Sequence, residues 1–142
     1  MAYTFDGFKD SQTNLLMPAA FYDALIKALA TARRSQHPLT LLKFLIPNPQ
    51  GAINFAQMLV ENSRADDLIA RMGEVEFLVL LVNSENGDQF FLRLHNARFP
   101  SPAGMRSARK SITSEELIAA EPGNFSSLAL HFLEEIDREP HT

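Results

Sequence analysis

The feature that most constrains the fold is an apolar run, Phe77 to Val82, that follows a turn-forming segment. The run is far shorter than the roughly 18 residues of a membrane span and suits a buried strand, which we extend to Val75 to Val82. Immediately before it, Leu68 to Arg71 is typical of a short strand and Met72-Gly73-Glu74 of a tight turn. The two strands are therefore predicted to pair as a β-hairpin.

Helical and extended patterns alternate along the rest of the chain, which implies a layered domain of strands and helices. A length of 142 residues suits one domain with one core. We expect a lead-in at residues 1–16 and a single domain at residues 17–142. Residues 88–98 fit either a helix or a strand, and the helix is favoured. The predicted helices are Pro18 to Arg34, Ala52 to Ser63, Ser114 to Ala120 and Phe125 to Glu139, and the further strands are Leu39 to Ile46 and Ser107 to Ile112.

Composition excludes several classes of function. There is no cysteine, and the four histidines lack the spacing of metal ligands, so no metal or other cofactor is predicted. The net charge of −4 argues against broad nucleic-acid contact, and we interpret the basic cluster Arg106, Arg109 and Lys110 as a solvated loop. The N-terminus lacks the features of a signal peptide, so a cytoplasmic protein without membrane insertion is expected.

Three segments, in the expected order, resemble the GGDEF family of diguanylate cyclases. Asp10 to Phe21 is similar to the opening D-x-L-T-G-L-x-N-R-x-x-F and keeps its Asp, Thr, Leu and Phe. Leu39 to Ile46 is similar to the first core strand of the family. Arg64 to Phe77 resembles R-x-x-D-x-x-x-R-x-G-G-D-E-F. The match covers residues 10–83 and becomes faint afterwards.

The resemblance implies an α+β fold with a central, mostly antiparallel sheet flanked by helices. This arrangement is ferredoxin-like or nucleotide-cyclase-like, of GGDEF type. It should be truncated here, because the chain passes from Ile46 through residues 47–51 directly into the next helix. The family places a helix with F-K-x-x-N-D, and then G-H-x-x-G-D, in that interval.

The departures from the family pattern predict that cyclase activity is lost and that the chain has no catalytic residues. By resemblance, a carboxylate in the turn and another at the end of the first strand would hold magnesium ions against the triphosphate. The signature here reads Gly73-Glu74-Val75-Glu76-Phe77, and a valine cannot coordinate magnesium. Residues 39–48 contain no Asp or Glu. Glu74 and Glu76 fit a catalytic pair less well than a surface turn.

The resemblance also implies that Arg64 and Asp67 occupy the product-inhibition site of the family, where such a pair grips cyclic di-GMP. Arginine can donate two parallel hydrogen bonds to guanine or phosphate oxygens, and aspartate can accept from guanine N–H groups. Arg71 is a possible contact but is more typical of a hairpin support, and Arg93 and Arg98 are candidates for a second arginine. Against this stands a chance R-x-x-D, forming only a solvated ion pair.

Two functions therefore remain open. The first is a catalytically inactive receptor or regulatory module that binds cyclic di-GMP. The second is a protein-interaction module, which would pair with another domain or with a second copy without binding a nucleotide. Residual turnover of another nucleotide is a remote third. Two apolar stripes are candidate interaction faces, although core packing is favoured for both: Phe21, Leu25 and Leu29, and Leu128, Phe132 and Ile136.

Overall fold

The computed structural model describes residues 8–97, 102–120 and 123–142. Its strands are β1 (Leu39–Leu45), β2 (Leu68–Arg71), β3 (Glu76–Val82) and β4 (Arg106–Ile112). Its helices are α1 (Pro18–Ser35), α2 (Ala52–Asn62), α3 (Asp88–His95), α4 (Ser114–Ala119) and α5 (Phe125–Arg138), and a single 3-10 turn, Pro49–Gly51, precedes α2. The strands form one antiparallel sheet in the order β2-β3-β1-β4. The predicted α+β fold with a central antiparallel sheet is confirmed.

Local sequence patterns account for these elements closely. Outside residues 88–98, no predicted end of a helix or strand is wrong by more than one residue. The favoured helix in residues 88–98 is confirmed as α3, which buries Phe90 and Leu94 four positions apart. The interpretation of the basic cluster as a solvated loop is wrong. Those residues lie in β4, which pairs with β1 and buries Ala108 and Ile112 against the helices.

Side chains alternate across the sheet and so build two apolar layers. On one face, Leu39 and Leu41 of β1 pack with α1, α4 and α5. On the other face, Leu42 and Phe44 pack with α2 and α3. Strand β1 is consequently buried on both faces, as its predicted central position requires. The two apolar stripes of α1 and α5 lie in the first layer, so they form core contacts rather than exposed docking faces. No helix in the described parts of the chain is long and apolar enough to cross a membrane.

The described part of the predicted lead-in packs against β2. The Leu16 N–H donates to the Ile69 carbonyl at 3.2 Å, and the Arg71 N–H donates to the Leu16 carbonyl at 2.9 Å. Leu15 and Met17 are buried on either side of this contact. Residues 8–17 therefore cover the outer edge of β2, which would otherwise present unpaired backbone groups to solvent.

A buried ion pair fixes this N-terminal segment to the hairpin. Asp10 Oδ2 accepts hydrogen bonds from the Thr13 N–H (3.0 Å), the Thr13 hydroxyl (2.6 Å) and Arg71 Nη1 (2.9 Å). Arg71 Nη1 also donates to Gln12 Oε1 at 2.8 Å, and Nη2 donates to the Glu74 carbonyl at 2.8 Å. One guanidinium thus joins the N-terminal turn to the turn between β2 and β3. This supports the sequence interpretation of Arg71 as a residue that holds the hairpin.

The pair also sets the ionisation of Asp10. Burial raises the pKa of its carboxyl, but the hydrogen bonds from Thr13 and Arg71 and the positive charge of Arg71 lower the pKa by more. The net pKa lies below the ordinary value for aspartate. Asp10 therefore stabilises the folded state in its ionised form, and that stabilisation is lost as the pH falls through the lowered pKa.

We predict that Asp10→Asn lowers the free energy of unfolding by about 3–5 kcal/mol at neutral pH, because it leaves the Arg71 charge buried without a counter-ion. The difference between the wild type and Asp10→Asn should shrink as the pH falls below about 4, because the Asp10 carboxyl is protonated first in the unfolded state and only at lower pH, through its lowered pKa, in the folded state. Urea unfolding at a series of pH values measures this. A difference that stays constant down to pH 3 would contradict the account.

Candidate ligand-binding site

A cavity of about 250 Å³ opens beside the loop that leads into β2. Arg64 and Asp67 line one wall of the cavity. Residues 83–86 and the first two turns of α3, which include Arg93, line the other. The fold thus brings together three of the site residues expected from the sequence: Arg64, Asp67 and Arg93.

The Asp67 carboxylate organises the first wall. Its Oδ2 accepts from the Arg64 N–H at 2.9 Å, and its Oδ1 accepts from the Val82 N–H at 3.3 Å. The Asp67 N–H in turn donates to the Arg64 carbonyl at 3.1 Å. The carboxylate therefore closes the turn and attaches it to the end of β3. Since each oxygen has two lone pairs, both can still accept a hydrogen bond from a ligand.

The Arg64 side chain is left available by this arrangement. It is exposed, and within the described residues its guanidinium makes no hydrogen bond or ion pair. The solvated Arg64–Asp67 ion pair considered from the sequence is absent from the described residues, because the contact runs from the backbone of Arg64 to the carboxylate of Asp67. Five N–H donors on a planar group thus remain for a ligand.

Arg93 reaches the cavity from α3 and is partly restrained. Its Nε donates to the Asn62 carbonyl at the end of α2 over 2.8 Å, and its guanidinium carbon lies 5.4 Å from the centroid of the Phe90 ring. Such an interaction with an aromatic face orients the guanidinium. The Nη1 and Nη2 groups make no protein hydrogen bond within the described residues, so Arg93 combines a fixed position with free donors.

Backbone geometry shapes the second wall. Asn83 adopts a left-handed conformation with φ of 55°, and Gly87 does so with φ of 79°. A Cβ at Gly87 would lie 3.2 Å from Leu42 Cδ2, so the loop approaches β1 too closely for a side chain there. The Ser84 carbonyl accepts from the Thr40 hydroxyl at 2.8 Å. The sequence did not predict that residues 83–86 line a cavity.

Two of the expected residues do not contribute to this cavity. Arg71 is 3% exposed, and its Nη1 and Nη2 groups donate to Asp10, Gln12 and the Glu74 carbonyl, so it lies in the hairpin contact and does not line the cavity. Arg98 lies outside the described residues.

The comparison with solved structures identifies the fold. No protein-family model matches this sequence, and no curated protein matches it significantly. Among solved structures, the GGDEF domain of DgcB from Caulobacter crescentus in complex with c-di-GMP has a TM-score of 0.67 at 15% identity, with 96% of this chain and 87% of that chain covered. The chain has the fold of a GGDEF domain.

Two other solved structures extend this result. The FimX GGDEF domain from Pseudomonas aeruginosa has a TM-score of 0.59 at 17% identity, covering 92% of this chain and 93% of that one. Diguanylate cyclase SiaD in complex with its activator SiaC, also from Pseudomonas aeruginosa, has a TM-score of 0.62 at 16% identity, covering 93% and 58%. At these identities the similarity concerns the fold, and each site must be argued from the residues of this chain.

The signature turn of the GGDEF fold lies between β2 and β3. The Met72 N–H donates to the Glu76 carbonyl at 2.8 Å, and the Ile46 N–H donates to the Val75 carbonyl at 2.9 Å. The Val75 side chain packs against the apolar layer that contains Phe77. Gly73 and Glu74 are exposed at the tip. These backbone hydrogen bonds hold the turn, and Val75 places an aliphatic side chain where the family signature, by resemblance, has a metal ligand.

The residues around this turn do not fit a magnesium site. Leu45, at the end of β1, lies opposite Glu76 and has no side-chain oxygen. The Glu76 carboxylate lies 4.0 Å from the Lys43 ammonium, which also bonds to Asp137 at 2.8 Å. A nearly buried cation next to the remaining carboxylate opposes a divalent ion. Within the described ranges, no group of three or more His, Asp or Glu residues is arranged to hold a metal.

Proposed function

We propose that this chain is a catalytically inactive GGDEF-type domain that binds cyclic di-GMP in the cavity bounded by Arg64, Asp67 and Arg93. The observation that carries the proposal is the Arg64 guanidinium, unbonded within the described residues, beside a fixed carboxylate, with the donors of Arg93 lining the same cavity. Cyclic di-GMP presents two phosphates and two guanine edges. The parallel N–H groups of an arginine can donate to phosphate oxygens or to guanine O6 and N7, and a carboxylate can accept from the guanine N–H groups.

The size of the cavity supports a partly exposed ligand. Its volume of about 250 Å³ is below the usual range for sites that enclose a small molecule, roughly 300–1,000 Å³. A cyclic dinucleotide would place one part of its surface in the cavity and the rest against solvent. Binding would then depend chiefly on the charged groups, and the affinity should fall as the salt concentration rises.

The similarity to the DgcB domain, which was solved with c-di-GMP, supports the choice of ligand. The inactive state is supported by the side chains of this chain. Val75 replaces a metal ligand, β1 supplies no acid, and Lys43 sits beside Glu76. Phosphoryl transfer from a nucleoside triphosphate needs metal ions to neutralise the phosphate oxygens, and these residues cannot hold them.

We predict that cyclic di-GMP binds the wild-type chain and that Arg64→Ala weakens binding at least tenfold, because a charge-assisted hydrogen bond contributes about 1.5–3 kcal/mol. Isothermal titration calorimetry measures this. Arg64→Ala is a sharper test than Asp67→Ala, since Asp67 also closes the loop through the backbone of Arg64 and Val82. Thermal unfolding should show that Arg64→Ala keeps the stability of the wild type.

Arg138→Ala is the matched control for this titration. Arg138 is exposed at the end of α5 and does not line the cavity, so its removal deletes one positive charge elsewhere. Equal losses in Arg64→Ala and Arg138→Ala would indicate attraction by net charge alone and contradict the site. The absence of heat from the wild type at high micromolar ligand would remove the receptor proposal.

We predict no cyclic di-GMP formation from GTP in the presence of Mg²⁺ or Mn²⁺, because Val75 and β1 supply no carboxylate and the Lys43 ammonium lies beside Glu76. Chromatographic product analysis measures this, with an active diguanylate cyclase as the positive control. Turnover by the wild type that disappears in Glu76→Gln would show that the turn still supports catalysis and would contradict the inactive state.

A second candidate function is homodimerisation without a nucleotide. It is favoured by three apolar side chains on the contacting helices α2 and α3: Ile53, Val60 and Leu92 are 46%, 51% and 54% exposed. Exposed apolar groups of this kind can mark an interface. Here we expect concentration-dependent dimers in sedimentation experiments and their loss in Val60→Glu. A wild type that remains monomeric at high concentration would exclude this candidate.

A further inference from the structure

Arg109 lies on β4, at the edge of the sheet, and does not line the ligand cavity. Its Nη1 nevertheless reaches the second wall of that cavity. It donates to the Asn86 carbonyl at 2.8 Å and to Asp88 Oδ1 at 2.7 Å. The guanidinium carbon also lies 4.8 Å from the centroid of the Phe91 ring. Asn86 and Asp88 both line the cavity, so Arg109 contacts two cavity-lining residues without lining the cavity itself.

The second wall has few other anchors to distant parts of the fold. Near its start, Ser84 is held by the Thr40 hydroxyl at 2.8 Å and by the Pro38 carbonyl at 3.2 Å. Toward its end, the Gly87 N–H donates to Ser84 Oγ at 3.1 Å, a contact within the loop itself. Arg109 therefore supplies the long-range side-chain anchor for the half of the loop that leads into α3.

The same contact controls the charge that the wall presents. The Asp88 side chain is 67% exposed, and Arg109 is its ion-pair partner. Without Arg109, an unpaired carboxylate would line a cavity that is proposed to receive phosphates. Like charges across a binding site lower affinity and are relieved by salt.

We propose that Arg109 is a positioning residue for the cyclic di-GMP site. It neutralises Asp88 and fixes the Asn86–Asp88 part of the wall without touching the ligand. This inference rests on the proposed function and adds a residue that neither the R-x-x-D pattern nor the cavity lining includes. It also makes the ligand site depend on β4, which pairs with β1 and lies two strands away from β3.

Calorimetric titration with cyclic di-GMP tests the proposal. Arg109→Ala should weaken binding roughly three- to tenfold at low salt, and the loss should shrink at high salt because the Asp88 repulsion is screened. Arg109→Lys should keep most of the affinity, since both bonds come from one nitrogen and an ammonium can supply both. The double variant Arg109→Ala/Asp88→Asn should recover most of the loss. Arg106→Ala, an exposed arginine on the same strand, is the matched control.

Several outcomes overturn the inference. Wild-type affinity in Arg109→Ala would show that the contact does not matter, and a loss that neither salt nor Asp88→Asn relieves would exclude the charge mechanism. A loss of equal size in Arg106→Ala would point to the net charge of β4. If the wild type itself does not bind, the receptor proposal fails together with this one, which distinguishes that result from the other three. Should Arg109→Ala fail to fold, Arg109→Lys and Asp88→Asn decide, and a loss of binding in both would overturn the inference.

Discussion

The ion pair between Asp10 and Arg71 connects the N-terminal turn, the end of β2 and the turn between β2 and β3. Asp10 belongs to the N-terminal turn, Arg71 ends β2, and the Glu74 carbonyl bonded to Arg71 lies at the tip of the hairpin. The Asp10 side chain is 0% exposed and the Arg71 side chain 3% exposed, so the loss of either would leave an uncompensated charge in the interior. Strand β2 is only four residues long and depends on this anchor at its end.

The proposed ligand site lies at the opposite end of the same strand. Asp67 precedes Leu68, the first residue of β2, and its carboxylate bonds to the backbone of Arg64 and of Val82 on β3. The short strand is therefore held by a carboxylate at each end, one paired with a guanidinium and one with backbone N–H groups. Within the described residues this leaves the Arg64 guanidinium unbonded beside a fixed acceptor, an arrangement that can serve an anionic ligand with guanine edges.

At the signature turn, the fold is kept while the chemistry differs. The backbone hydrogen bonds of Met72 and Val75 and the packing of Phe77 need no particular side chain at the tip, so the hairpin tolerates Glu74 and Val75. Lys43 and Glu76 form a pair of opposite charges where a metal site would need several oxygens.

The sequence predicted the elements well, because periodicity and turn residues are local signals. It also placed Arg64 and Asp67 together through their register with the hairpin. It did not reveal that Asp67 bonds to the backbone, that residues 83–86 form a second wall, or that Arg109 reaches them. These features depend on how β3, β4 and α3 meet in space. The interpretation of the basic cluster as a loop is wrong, although the strand predicted over Ser107 to Ile112 already contained Arg109 and Lys110.

The most direct test of the account is a titration of isotope-labelled protein with cyclic di-GMP, followed by NMR. We expect the largest shift changes in the amides of residues 64–67 and 83–90, with the Arg93 side chain also affected and the 72–76 turn little changed. Changes confined to the 72–76 turn, or to the exposed side chains of α2 and α3, would contradict a receptor that works through Arg64, Asp67 and Arg93.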